Sequence, residues 1–540
     1  MTARLRRLAA LAVTAAAALT AACGGADAPA GPVDADPTLA GFAFQRAHDP
    51  SLAEDLVGTV SGDTIRVIVP PGTAVDSLVP SFTVPDGVTV TLDGVPQRSG
   101  VDAADFTRDR TYVVTAPDGT RRTYVVSVTV FTGLPVLWLS TVDNAPILDR
   151  ENYVQGSLRV DGGKAHPEWS FAVATQVRGR GNSTWSAPKK PYRLKLASAR
   201  TVLGFPAERD WVLLANYWDQ SLARNALALQ FSAALGMAFT PRCAPVELFL
   251  NGVHQGAYQL CDQVETGTFR VPMAPGGWFL ELNDIRRVDP DETWFETPAI
   301  HEYTTVGHGD TIPSVWTFKA PDPPTPAQVD AVRQELVAFE DALYGPDFAD
   351  PDLGYARRLD ARSLVDWWLV MELTKNNDAA FSFGVYAYKG ASGRITFGPV
   401  WDFDLAFGNY PYDGGPEGFK ILVSGYLPRL LEDRAFVALM QERWAVLRSH
   451  RAEFDAFLTA YTAQLQLSQR RTHALWAPYG PAPQLRAEPF AGAALWRAPA
   501  LRAAPAQPTF TDADYAAEVA RLRSWLDARW AWLDARIGAL

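Results

Sequence analysis

Three short stretches of the chain carry side chains able to handle a phosphoryl group. In the first, Gln176 to Leu196, a strand enters a turn holding Arg178, Arg180, Asn182 and Ser183, and a second strand leaves it past Lys189 and Lys190. Backbone N–H groups and hydroxyls in such a turn can face phosphate oxygens while Arg and Lys neutralise their charge. The G-x4-G-K-[S/T] spacing of a P-loop is absent. Taken alone, a polar hairpin with a solvated basic face explains this stretch better. The second stretch is an apolar helix from Trp367 that ends in Lys375, Asn376, Asn377 and Asp378. The third begins as a short strand at Ile395, delivers Asp402 and Asp404 two residues apart, and closes with Phe407 and Gly408.

Between the last two, Val385–Lys389 and Arg394–Phe397 flank Gly390 and Gly393 as a hairpin, which can return Asp402 to the side of Asp378. Phosphoryl transfer needs two such carboxylates. One orients or deprotonates the attacking hydroxyl; the other, on a separate element, holds Mg²⁺ against the nucleotide phosphates. Mg²⁺ takes one or two carboxylates plus water and phosphate oxygens, so Asp402 with Asp404 or an Asn suffices. The alternative for each acid is an ordinary structural hydrogen bond at a helix end or strand end.

The elements that must position these residues read as a mixed α/β region. Strands are expected at 136–140, 172–178, 191–196 and 278–282, with a hairpin over 245–260. A helix is expected over 219–235, capped by Asp219 or Ser221. From 326 onward helices dominate, at 327–344, 361–375 and 429–448. Residues 476–508, rich in Ala and Pro, read as a long surface loop. A last helix follows Thr511 and aligns Val519, Leu522, Leu526, Trp530, Leu533 and Ile537 on one packing stripe. Ahead of all this, residues 38–131 alternate in short strands broken by turns, as in Thr64–Pro70, Thr111–Thr115 and Tyr124–Val130. That pattern predicts an Ig-like β-sandwich with a spacer or adhesion role.

The chain of 540 residues, 48% hydrophobic and 20% charged, is long enough for two or three domains. Its formal net charge of -11 argues against nucleic acid as a partner. The seven His residues show no H-x-x-x-H spacing and there is no G-x-S-x-G elbow, which sets a hydrolase behind the other readings.

Arg4, Arg6 and Arg7 precede an apolar run, Leu8 to Leu19, that ends in Ala21, Ala22 and Cys23. This has the layout of an export signal, residues 1–22, and Cys23 sits as in a bacterial lipobox, with Thr20 where leucine is usual. Residues 23–37 then form a small, polar tether. The expectation is an exported lipoprotein held at the membrane through acylated Cys23. Cys243 and Cys261 flank the turn at Asn251–Gly252, and folding about it sets them nearly opposite, making them candidates for a disulfide.

Over roughly 137–537 the sequence resembles the CotH family of atypical, kinase-like phosphotransferases. The likeness rests on the Arg180–Thr184 turn with Pro188–Lys195, on Trp211–Asn216 with Asp219–Asn225, on the Asn251–Tyr258 hairpin, and on the segments around Asp378 and Trp401–Gly408, all in the family's order. It implies an α+β fold, with an atypical protein-kinase-like domain over 132–540 whose C-terminal part is helical. It further implies Asp378 as the catalytic acid and Asp402, with Asp404, at the metal. Arg178 or Arg180, Asn182, Ser183, and Lys189 or Lys190 would contact the nucleotide. ATP and Mg²⁺ or Mn²⁺ would be the cofactors, and a protein or cell-envelope hydroxyl the acceptor. The rival reading is a weak or inactive kinase-like scaffold that acts as a cell-surface binding or adhesion protein.

Overall fold

The computed structural model describes residues 36–540 except 53, 71–72, 131–132, 163–165, 301, 305–310, 378–379, 411–412 and 477–509. Among the described residues the fold is α+β, with all-β sheets first and a helical C-terminal part. Cys23, the expected signal and most of the tether, the candidate acid Asp378 and the Ala/Pro-rich loop lie outside the described residues.

The front of the chain forms two facing sheets. One holds β1 (Ala40–Phe44), β2 (Leu56–Val57) and β5 (Pro80–Thr83). The other holds β3 (Thr59–Ser61), β4 (Thr64–Val69), β6 (Thr89–Leu92), β7 (Val95–Pro96), β8 (Arg110–Thr115) and β9 (Arg121–Val130). Period-two alternation does the folding: in β4, Ile65, Val67 and Val69 are buried while Thr64, Arg66 and Ile68 face away or lie half-buried.

A closed barrel follows, made of β10 (Val136–Thr141), β11 (Val154–Asp161), β12 (Phe171–Gly179), β13 (Tyr192–Val202), β14 (Phe205–Leu214), β15 (Cys243–Leu250) and β16 (Val253–Asp262). Closure comes from one parallel pairing, Val136–Leu139 against Glu247–Leu250. Cys243 and Cys261 face each other in the β15–β16 register and are joined by a disulfide, with Cα atoms 4.2 Å apart. A second mixed unit carries β17 (Phe279–Asp284), β18 (Trp294–Phe295), β19 (Glu302–Thr304), β20 (Thr311–Ala320), β21 (Val385–Lys389) and β22 (Ile395–Phe397) in one sheet.

The helices pack against that sheet, against one another and against the barrel. After the single turn α1 (Ser183–Ser186) come α2 (Arg224–Leu235), α3 (Pro326–Tyr344), α4 (Ala361–Leu373), α5 (Leu427–Leu430), α6 (Arg434–Ser449), α7 (Arg451–Gln464), α8 (Gln466–Leu475) and α9 (Asp512–Ile537). Helix α2 starts five residues later than expected, because the Asp219 carboxylate accepts the N–H groups of Ser221 and Arg224 and holds that stretch as a turn. Asp219 also pairs with Arg224, which reaches Glu518 on α9 at 2.8 Å; Arg224 and Asp219 are fully buried and Glu518 nearly so. Helix α4 is buried nearly all round, from Leu364 to Leu373, and so is the central rod of the C-terminal half.

Candidate functional site

Strand β22 ends at Phe397 and the chain turns through Trp401–Asp402–Phe403–Asp404 into a loop rather than another strand. Asp402 takes φ +67°, the left-handed region that Asp tolerates better than most residues. Three amides hold this shape. Asn376, just past the end of α4, donates its side-chain N–H to the Asp402 carbonyl at 2.8 Å. Asn225 of α2 accepts the Phe403 N–H at 2.8 Å. Asn409 donates to the Asp404 carbonyl at 2.6 Å and to the Trp218 carbonyl at 2.9 Å. The Phe407 N–H is taken by the Thr374 carbonyl at 2.8 Å, which ties the far end of the loop to α4.

Asp402 is exposed to solvent yet ringed by protein. Loss of bulk water around it pushes its carboxyl above the ordinary value, against the pull of Arg180 and Arg287. Glu281 on β17 pushes in the same direction, and the Asp404 carboxyl, 8% exposed, is hydrogen-bonded to that of Asp402. Two carboxyls in such contact must share a proton or a cation. That donor pair suits a divalent ion that keeps water and phosphate oxygens for its other positions. Among the described residues no cluster of three or more His, Cys, Asp or Glu is arranged for a metal. Asp402 and Asp404 form a pair of acids that could hold one.

Arg180 supplies the facing cation. It sits just past the end of β12 with its guanidinium 5.6 Å from the Trp401 ring centre, and its strongest attractive neighbour is Asp402. Arg287, exposed and stacked 3.7 Å from the Phe383 ring centre, is the second cation felt by Asp402. Behind them, Lys319 of β20 bonds Glu281 at 2.9 Å and Glu292 at 2.6 Å. Burial works against the charge of Lys319, but the two glutamates hold it above the ordinary lysine value. Tyr386 of β21 is hydrogen-bonded to Glu281, and burial pushes its phenol well up.

The other residues singled out in the sequence go elsewhere. Arg178, opposite Arg193 in the β12–β13 register, donates to the Arg150 carbonyl and lies 5.0 Å from the Tyr153 ring. Asn182 accepts from Arg150 at 2.6 Å, and Ser183 opens the single turn α1. Lys190 donates to the Trp185 carbonyl at 2.6 Å. Lys189 is 1% exposed and donates to the carbonyls of Ala215 (2.8 Å) and Ala257. Burial pushes its ammonium down to about 7, with Glu247 pulling the other way. A phosphate would have to displace those carbonyls to reach it. Of the turn's basic residues, Arg180 is the one that meets the acidic loop.

Arg287, Lys319 and Tyr386 have no motif that would mark them as site residues, since they come from the turn after β17, from β20 and from β21, and they meet Glu281 of β17 only in the fold. A cavity of about 860 Å³ lies between the barrel, α2 and α7, lined in part by Phe205, Leu229 and Tyr461; none of its lining residues belongs to the acidic loop. The carboxyl–guanidinium cluster, not that cavity, marks the candidate site.

Comparison with known proteins returns no match among curated sequences. Among solved structures, a Bacteroides fragilis protein provisionally described as secreted shares 21% identity over 18% of this chain and 93% of its own, at a TM-score of 0.13. A Bacteroides thetaiotaomicron protein provisionally described as a glycoside hydrolase shares 13% identity over 52% of this chain and 83% of its own, at a TM-score of 0.14. Likenesses at those scores decide neither fold nor function. Among the described residues no helix is long and apolar enough to cross a membrane. Residues 51–128 match the family described as SGBP, N-terminal. Residues 177–533, more than half of the chain and including the basic turn and the acidic loop, match the family described as CotH kinase protein, and the chain belongs to that family.

Proposed function

We propose that this chain is an exported phosphotransferase that moves the γ-phosphate of ATP to a hydroxyl, a protein Ser or Thr or a cell-envelope group, with Mg²⁺ or Mn²⁺. The observation that carries the reading is the acid pair Asp402–Asp404 facing Arg180 on a loop pinned by α2 and α4. Asp402 and Asp404 would hold the ion, which when bound neutralises phosphate charge. Arg180 and Arg287 would face the anionic oxygens, where charge builds during transfer. Asp378, two residues beyond the Asn376 that grips the Asp402 carbonyl, would orient the acceptor hydroxyl and take its proton. Lys189 has no part in this scheme.

The test is transfer of ³²P from ATP with Mg²⁺ or Mn²⁺ by wild type, Asp378→Ala and Asp402→Ala. Wild-type labelling that both variants lose supports the reading. No transfer and no nucleotide binding by any of them sinks it. In that case the binding or adhesion role takes over, which the match of residues 51–128 to an SGBP N-terminal domain favours. Export with a lipid anchor rests on residues 1–23, and Cys23→Ser should move the protein out of the membrane fraction.

A further inference from the structure

The segment that follows the acidic loop, Asp413 to Leu422, is gripped along its length by side chains from the end of α4 and from α9. Lys375, 5% exposed at its side chain and at φ +47°, directs Nζ to Asp413 Oδ1 (2.7 Å) and to the carbonyls of Gly415 (2.9 Å) and Glu417 (2.7 Å). All three ammonium donors are used. One turn earlier, the fully buried Glu372 accepts the N–H groups of Lys420 (2.7 Å), Ile421 (2.8 Å) and Leu422 (2.8 Å). Arg529 of α9, also fully buried, pairs with Glu372 at 2.6 Å and donates to the carbonyls of Pro416 (2.8 Å) and Gly418 (2.7 Å). Trp525 adds its indole N–H to the Gly414 carbonyl at 2.7 Å. The residues interleaved with Glu372 and Lys375 at the end of α4 fix the acidic loop, the Thr374 carbonyl taking the Phe407 N–H and the Asn376 amide donating to the Asp402 carbonyl.

From this we infer that Lys375 is a positioning residue that locks Asp413–Leu422 beside the acidic loop, so the Asp402–Asp404 pair is held in place without any activating modification. The inference rests on the phosphotransferase reading above for what the site does. Switchable kinases leave this kind of segment loose until an added phosphate recruits an arginine to order it. Here Lys375 and Arg529 already occupy the backbone carbonyls and Asp413 that such an interaction would organise. A loose segment would instead show unpaired backbone polar groups and no buried charge aimed at it.

The experiment is hydrogen exchange on the full, ligand-free chain, followed by ATP kinetics, for wild type, Lys375→Met and Asp413→Asn. Wild type should protect 414–422 like the neighbouring helices. Lys375→Met should speed exchange there by about 10- to 100-fold, the loss of a charge-assisted contact, with barrel strands unchanged. Its kcat should fall about 10-fold or more while KM for ATP stays within about two-fold. Asp413→Asn, which alters the more exposed end of the contact, should give a smaller local loss and covers the case in which Lys375→Met fails to fold. Wild type stripped of phosphate, checked by intact mass, should work at full rate without a lag. Free exchange of 414–422 in wild type, unchanged exchange and kcat in both variants, or a need for prior phosphorylation would overturn the inference. Protected 414–422 in a wild type that neither transfers phosphate nor binds nucleotide would uphold the lock and sink the phosphotransferase reading.

Discussion

The Asn225 side-chain oxygen accepts the N–H of Phe403 at 2.8 Å, and the Asn225 amide in turn donates to Asn216 at 3.2 Å, which donates to Gln259 at 3.0 Å on β16. A chain of amides therefore connects the barrel, α2 and the acidic loop. Each member is nearly buried, so each has little water to fall back on.

Replacing Asn225 with Ala leaves the Phe403 N–H without its partner and frees the strained Asp402 backbone to relax. Leaving such a donor unsatisfied costs about 1–3 kcal/mol. The expected result is a lower urea midpoint of that size with phosphotransfer down about 10-fold or more. Asn225→Asp, which keeps an acceptor, should recover most of the stability. Equal losses for both variants would show that the acceptor at this position does not hold the loop.

Asp402→Asn is expected to abolish transfer, by at least about 100-fold, since in the proposed scheme it removes the leading metal acid. The same change should raise the melting temperature of the ligand-free chain. It deletes a carboxyl whose charge is opposed by the loss of bulk water around it and by Glu281, and Asn tolerates the left-handed backbone equally well. Mg²⁺ should stabilise wild type and leave the variant unmoved. A variant that melts lower and still responds to Mg²⁺ would place the metal elsewhere.

Much of this site is legible before any coordinates. Asp402, Asp404 and Arg180 fall in short runs whose local text carries both the turn and the chemistry, and the 385–397 hairpin is marked by its own glycines. The partner cations are not legible. Lys319 and Glu281 are 38 residues apart in the chain and meet only because β17 and β20 pair antiparallel. Lys189 shows the opposite failure. A lysine in a polar turn reads as solvated, yet here it is drawn inward between two backbone carbonyls. Barrel closure is hidden for a related reason. Short apolar runs mark β10 and β15 as strands, but nothing local says they pair, and in parallel. The same limit holds at α2, whose late start depends on a single carboxylate, Asp219, taking two N–H groups.

Buried Lys189 makes a pH prediction. Its folded value is pushed down from 10.5 to about 7 by burial. Between those values the unfolded chain holds a proton that the folded chain has lost, so stability contributed by this residue rises with pH. Below pH 7 both states are protonated and the burial penalty is present in full. Wild type should therefore gain up to about 1 kcal/mol per pH unit from this residue between pH 7.5 and 9.5. Lys189→Met should flatten that rise. His473, pushed down to about 3 by burial, with Lys189 adding to the shift, acts only below its ordinary value of 6.5 and leaves the window clear. Urea midpoints at pH 7.5, 8.5 and 9.5 decide the matter, and parallel curves for the two proteins would refute the assignment.

The front sandwich is expected to fail as a detachable module, because its core is continuous with the barrel's outer face. Val136, Trp138 and Phe249 belong to the same buried cluster as Phe42, Phe44, Phe106 and Tyr112. Trp138 stacks on Phe249 with ring centres 4.2 Å apart and is covered by Arg159, which pairs with Glu54 at 3.1 Å. The Val57 N–H also reaches the Gly252 carbonyl at 3.2 Å, and a Cβ on Gly252 would meet the Asp55 carbonyl at 3.0 Å. Removing residues 36–130 would bare these aromatics on the barrel, an apolar patch of the kind that drives association. Trp138→Ala in the full chain should cost about 3–5 kcal/mol, and both halves should lose protection together in hydrogen exchange. A chain beginning near residue 132 should aggregate or melt well below the intact protein. If it instead stays monomeric with the full chain's melting temperature and ATP kinetics, the shared core contributes nothing to the barrel and the two parts are independent.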